Sequence, residues 1–172
     1  MRQTPLTGKP SPRYSRGVRG LRVHVIAVGR ARGGPERDLY AHYMRRLAWT
    51  VSLKEIEVRG RVAPADLKAR EGELILAALP ADAKVVALDA QGLTLSSEAF
   101  AKKLQSWGLA GTGQVAFVIG GAEGLDEAVI QRADLHFSLG RVTWPHLLVR
   151  ALLAEQLYRA QQILAGHPYH RG

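Results

Sequence analysis

The chain has 172 residues, 47% of them hydrophobic, no cysteine and a net charge of +9. That length suits one domain with a substantial core, and no stretch reaches the roughly 20 apolar residues of a membrane-spanning helix. Without cysteine there can be no disulfide framework, thiolate zinc site or cysteine nucleophile, which fits a reducing, cytoplasmic setting.

Residues 1–20 hold Arg2, Lys9, Arg13, Arg16 and Arg19 and no acid, so five of the nine excess charges sit in this leader. With Pro5, Pro10, Pro12 and three glycines, the leader is expected to be a disordered, solvated extension of a domain spanning 21–172. Val18 is a candidate start site, and a phosphate-contacting arm is the alternative. The remaining charge permits a nucleic-acid partner without requiring one. No apolar signal segment precedes the domain.

Strand-like and helix-like patterns then alternate. Leu21–Val28 reads as a buried strand. Pro35 opens a helix with Leu39, Tyr40, Tyr43, Met44 and Leu47 on one face. Val51–Val58 alternates as a strand, and Pro64–Leu79 reads as a helix. Lys84–Leu88 is a short apolar strand. Ser96 is placed to cap a helix whose inner face is Phe100, Leu104 and Trp107. Gln114–Ile119, Asp126–Ala133 and Leu135–Leu139 follow as strand, helix and strand. A last helix runs from Pro145 to about Leu164. Continuous apolar strands alternating with helices predict an α/β fold, a parallel sheet with helices on both faces. Ligands of such sheets bind at the carboxyl ends of strands.

Three strand ends carry candidate ligand groups. Gly120-Gly121-Ala122-Glu123-Gly124 follows a strand, and its glycines allow close backbone approach. Its spacing is not Gly-x-Gly-x-x-Gly, so the dinucleotide fingerprint fails, and acids in the next helix disfavour a phosphate ligand. A tight turn without a ligand is equally consistent. Gly111-Thr112-Gly113 precedes its strand and is a decoy. Asp89 ends the third strand as a hydrogen-bond acceptor or a plain turn former. Gly140, Arg141, Val142, Thr143, Trp144 and Pro145 link the fifth strand to the last helix, offering backbone groups and an indole that equally suits the core.

The last helix carries Arg150 in an apolar stretch, and Glu155 and Arg159 as an i,i+4 pair. Apolar on several sides, it suggests a subunit interface. The chain closes on His167-Pro168-Tyr169-His170-Arg171-Gly172, with a stacking ring, titratable groups and a guanidinium suited to RNA. No carboxylate or cysteine accompanies the histidines, so no metal site is expected.

Taken together, residues 21–172 resemble the RlmH family of SPOUT-class methyltransferases. The likeness rests on Val25-Ile26-Ala27-Val28-Gly29, Leu88-Asp89, Ile119 to Leu125, Thr143-Trp144-Pro145-His146, Leu148-Val149-Arg150, Ala154 to Ala160 and His167 to Arg171. Ala122 departs from it, standing where proline is common. The resemblance implies a deep C-terminal trefoil knot, which general fold rules would argue against, and a homodimer packed through the C-terminal helices. It implies transfer of a methyl group from S-adenosylmethionine to N3 of a pseudouridine in helix 69 of 23S rRNA, in the assembled ribosome. The cofactor pocket then maps to Leu88, Asp89, Gly120, Gly121 and Gly140 through Pro145. Arg150, Glu155, Arg159, Tyr169, His170 and Arg171 form the substrate side. His170 or Glu155 is expected to take the N3 proton, and Arg150 or Arg171 to hold the anion. A SPOUT enzyme on another RNA and a non-catalytic ribosome-binding protein are the rival readings.

Overall fold

A computed structural model describes residue 18 and residues 20–170, without the side chain of His170. Most of the expected leader, and Arg171, therefore lie outside the described residues. Val18 does not: it is 1% exposed, packs into the core and accepts a hydrogen bond from the Leu21 amide.

In chain order the elements are β1 (Arg22–Val28), α1 (Pro35–Met44), β2 (Thr50–Ile56), α2 (Pro64–Ala78), β3 (Lys84–Thr94), α3 (Ser97–Leu109), β4 (Gln114–Ile119), α4 (Glu127–Arg132), β5 (Leu135–Ser138) and α5 (His146–Ala165). The five strands form one parallel sheet in the order β2-β1-β4-β3-β5. All carboxyl ends thus lie along one edge, with β4 inserted between β1 and β3.

Both faces of the sheet are covered. In β1, Val23, Val25 and Ala27 join one core with Phe100, Ala101 and Leu104 of α3 and Leu153, Leu157 and Ala160 of α5. Their neighbours Ile26 and Val28 join a second core with Ile75 of α2 and Val129 of α4. Successive side chains of a strand point to opposite faces, so a strand buried on both must be apolar throughout, and Val115–Ile119 of β4 is. Phe100 stacks on Phe137 of β5, with centroids 4.8 Å apart and rings 6° from parallel. Burying each such ring stabilises the fold by about 1.5–3 kcal/mol.

Local chemistry sets the helix starts. The Ser96 hydroxyl accepts from the Ala99 amide and starts α3, as its sequence position suggests. Asp126 caps α4 through the Ala128 amide, so this helix begins one residue later than its sequence pattern indicates. Pro145 stands at the cap of α5 rather than inside it, and its carbonyl accepts from the Val149 amide.

The main departure from expectation is β3. It does not end at Leu88 but continues to Thr94 across an irregularity, with Phe137 of β5 opposite both Leu88 and Leu93. Asp89 to Gly92 bulge out between these two pairings. Gly92 permits the close return: a side chain there would meet the His136 carbonyl carbon at 2.7 Å. The bulge opens the carboxyl edge of the sheet beside β4 and β5.

Candidate functional site

That edge holds a cavity of about 950 Å³, lined by three strand-end segments and α5. Leu88 to Gln91 come from the β3 bulge, Ile119 to Leu125 from the turn after β4, and Leu139 onward from the loop after β5. Of the cofactor-side residues expected from sequence, Leu88, Asp89, Gly120, Gly121, Gly140, Val142, Thr143, Trp144 and Pro145 all line it. Arg141 does not; it is exposed and outside the lining. The cavity is of the size that buries a drug-sized ligand.

Each segment has a physical reason for its shape. The turn after β4 folds back so that Gly121 and Gly124 form a short antiparallel bridge, with the Gly124 amide donating to the Gly121 carbonyl. A methyl group on Gly120 would sit 2.7 Å from the Gly124 carbonyl carbon and 2.9 Å from the Leu125 nitrogen. Gly120 is therefore required by the turn itself, and through the turn by the cavity. At Gly140, φ is +115°, a conformation that side chains disfavour. Asp89 accepts from the Gln91 amide at 3.0 Å. It is a turn former whose place in the lining also leaves it a candidate acceptor for a ligand.

Ser138, which sequence reading passed over, ties two segments together. It is 2% exposed, and its hydroxyl oxygen lies 2.8 Å from the Gly140 carbonyl and 3.2 Å from the Ala90 carbonyl. It also accepts from the Gly140 amide. A small polar residue between the apolar Phe137 and Leu139 was the signal. Replacing Ser138 with Ala should lower stability by about 0.5–1.5 kcal/mol by removing its hydrogen bonds to part-buried backbone groups of Ala90 and Gly140. It should also loosen the loop, weakening binding of the cavity's ligand more than it slows turnover. Thermal unfolding and steady-state kinetics check both.

The cavity is locally acidic on a basic chain. Asp89, Glu123 and Glu127 face it against Lys68, with the imidazole of His146 at the start of α5 also present. Three carboxylates against one ammonium favour a cationic ligand over a phosphate. Val142 and Trp144 are 59% and 39% exposed at the rim, an unusual placement for apolar side chains.

The substrate-side residues expected from sequence divide into two groups, and neither lines this cavity. Arg150 is 2% exposed, and its guanidinium donates to Glu55 Oε1 at 2.8 Å and to the carbonyls of Val28 and Gly29 at 2.9 and 2.6 Å. Sequence reading set Arg150 on the substrate side; in the structure its two terminal nitrogens are taken by Glu55 and two carbonyls. It fastens α5 to the ends of β1 and β2, with those donors already engaged. Burial pushes the Glu55 carboxyl up, but the Ala31 amide and the Arg150 guanidinium hold it below its ordinary range.

Glu155, Arg159 and Tyr169 do come together, where α5, α1 and the Pro168–His170 turn meet. Arg159 donates to Glu155 at 2.6 and 2.9 Å, and the Tyr169 hydroxyl donates to the same oxygen at 3.4 Å. Gln156 donates to the other Glu155 oxygen. Three of these contacts fall on one Glu155 oxygen and one on the other. Arg46, not foreseen from sequence, lies 4.2 Å from the Tyr158 ring centroid and 5.8 Å from that of Tyr169, and donates to the Tyr158 hydroxyl. Burial, the Tyr43 hydrogen bond and the Glu155 charge push Tyr169 up to about 12, so it stays protonated at neutral pH. The side chains of His170 and Arg171 lie outside the described residues.

Comparison with known proteins gives concordant findings. Residues 21–170 match the family model described as "Predicted SPOUT methyltransferase". The chain is 58% identical over 151 residues to a ribosomal RNA large subunit methyltransferase H of Rhodospirillum centenum, covering 88% of this chain and 99% of the relative. It is 56% identical to the protein of the same description from Paramagnetospirillum magneticum, with the same coverage. A solved structure from Haemophilus influenzae Rd KW20, described as a "probable methylase family protein", superposes with a TM-score of 0.52 at 15% identity. That match covers 87% of this chain and 70% of the other, and it shows a shared fold.

Proposed function

The chain belongs to the SPOUT methyltransferase family, among the ribosomal RNA large subunit methyltransferase H proteins, and from this premise we propose that it methylates 23S rRNA. The donor is S-adenosylmethionine, and the acceptor is N3 of a pseudouridine in helix 69 of the assembled ribosome. The observation that carries this reading is the acidic cavity formed by the three strand-end segments. Its residues fit the donor. Leu88, Ile119, Leu139 and Val149 offer apolar wall for an adenine ring. Asp89 has a second carboxylate oxygen for a ribose hydroxyl. Glu123 and Glu127 favour the positive charge at sulfur.

Bound there, S-adenosylmethionine supplies an electrophilic methyl group. The chain must align N3 with it and deal with the imide proton, and alignment alone contributes several kcal/mol. His170 is the proposed proton acceptor. Glu155 is occupied by Arg159, Gln156 and Tyr169, and Tyr169 remains protonated. Arg159 and Arg171 hold the developing anion or a neighbouring phosphate. Within one chain the Glu155–Arg159–Tyr169 cluster stands apart from the cavity lining. In this reading a homodimer packed through α5 therefore brings the C-terminal residues of one copy to the cavity of the other. The same reading gives the carboxy-terminal region a deep trefoil knot.

Ribosomes from a strain lacking the gene, incubated with the protein and methyl-labelled donor, test the proposal. Label is expected on a helix 69 pseudouridine of intact ribosomes and not on free rRNA. Label at another nucleotide, or on free rRNA alone, would overturn the assigned acceptor.

A further inference from the structure

A second cavity, of about 570 Å³, shares the first turn of α5 with the donor cavity. His146 and Val149 face the donor side, while Leu147 and Arg150 face this one. Its other walls are the loop after β1, the start of α1 and the middle of β2. Four guanidiniums line it, from Arg30, Arg32, Arg37 and Arg150, against two carboxylates, Glu36 and Glu55. Arg150 and Glu55 pair with each other, which leaves Arg30, Arg32 and Arg37 against Glu36, so the cleft is basic where its neighbour is acidic.

Two donors in its lining are unsatisfied. The Tyr40 hydroxyl and Arg150 Nε are buried with no hydrogen-bond partner among the described residues. Both belong to residues that line the cleft, and Arg150 is 2% exposed. An unpaired buried donor costs about 1–3 kcal/mol, a cost that an acceptor group entering the cleft would remove. Burial raises Tyr40 to about 12, so its hydroxyl keeps its proton for donation. Leu53, 41% exposed, and Leu147 give the cleft an apolar wall beside the cationic one.

We propose that this cleft is a separate binding site for a phosphate group of single-stranded RNA, carried by a nucleotide next to the one that is methylated. The Tyr40 hydroxyl, Arg150 Nε and the Arg37 guanidinium contact the phosphate oxygens, and Leu53 and Leu147 meet the attached sugar or base. The RNA assignment rests on the methyltransferase reading, since the cleft and the donor cavity flank the same first turn of α5. Free inorganic phosphate shares the same anionic chemistry and is the competing occupant.

The test is fluorescence anisotropy of a labelled single-stranded oligoribonucleotide with the full chain, across a salt series. Arg32→Glu with Arg37→Glu should weaken binding at least about tenfold and reduce the slope of log affinity against log salt by about 0.7 for the phosphate lost. Tyr40→Phe, which removes one hydrogen bond to a charged group, should weaken it about tenfold with the slope unchanged. Arg59→Glu with Arg61→Glu, exposed and outside the cleft, is the control for general electrostatics. Equal losses from the two double variants, or an unaffected Tyr40→Phe, would overturn the site. Competition by inorganic phosphate in the wild type, with RNA affinity of the Arg32/Arg37 variant unchanged, would make it an anion site and overturn the RNA assignment. Calorimetric titration of S-adenosylmethionine into the same proteins separates the two readings. Heat lost in the wild type sinks the methyltransferase, whereas the anisotropy series judges the cleft.

Discussion

Gly120→Ala should reduce affinity for S-adenosylmethionine by at least about 100-fold, or about 2.7 kcal/mol, while leaving most of the fold intact. The added methyl group would meet backbone at 2.7 to 2.9 Å on three atoms of Gly124 and Leu125. No flexible side chain is available to move aside, so the turn must open, and overpacking of this kind costs about 1–3 kcal/mol. The turn bears on the cavity directly, because Gly120 to Gly124 form one of its three walls. Gly113→Ala is the matched control. A methyl group there has no neighbour within 4 Å, and donor binding should be unchanged. Retained affinity in Gly120→Ala would mean that the donor does not depend on this turn.

Arg150→Ala should destabilise the fold by about 3 kcal/mol, the lower part of the range for breaking a buried ion pair, since Glu55 keeps some contact with water. For a chain of this size that lowers Tm by roughly 6–12 °C. The loss comprises the Glu55 pair and two carbonyls, Val28 and Gly29, left without their donor. Arg150→Lys should recover only part of it, because one ammonium cannot match the forked guanidinium across three acceptors. An unchanged Tm with abolished methyl transfer would restore Arg150 to the substrate side. The pair also sets a pH dependence. The folded-state pKa of Glu55 is lowered, so its contribution is fully present above the ordinary glutamate range and is lost as pH falls through the folded value. Wild-type Tm should therefore drop at acid pH more steeply than that of Arg150→Ala.

The fold was legible where burial on both faces forces continuous apolar strands. Val115–Ile119 and Val85–Leu88 are such runs, and Ser96 marked its helix through capping chemistry that is local in sequence. What was not legible depends on long-range pairing. Nothing in the spacing places β4 between β1 and β3. The bulge from Asp89 to Gly92 follows from Phe137 pairing twice, some 45 residues away in sequence. The cavity segments were legible because glycine turns after apolar strands are local signals, and the structure gathers all the expected residues but Arg141 into one lining. The anchoring contact of Arg150 was not legible because its partner, Glu55, lies 95 residues earlier on another element. Arg46 and Tyr158, 112 residues apart, were invisible for the same reason.

The central claim is that three strand-end segments jointly bind a methyl donor. Isothermal titration of S-adenosylmethionine into the full chain tests it most directly. The expected result is saturable heat approaching one donor per chain, present in Gly113→Ala and lost in Gly120→Ala. A folded wild-type chain that gives no saturable heat, or an equal response in all three proteins, would contradict it.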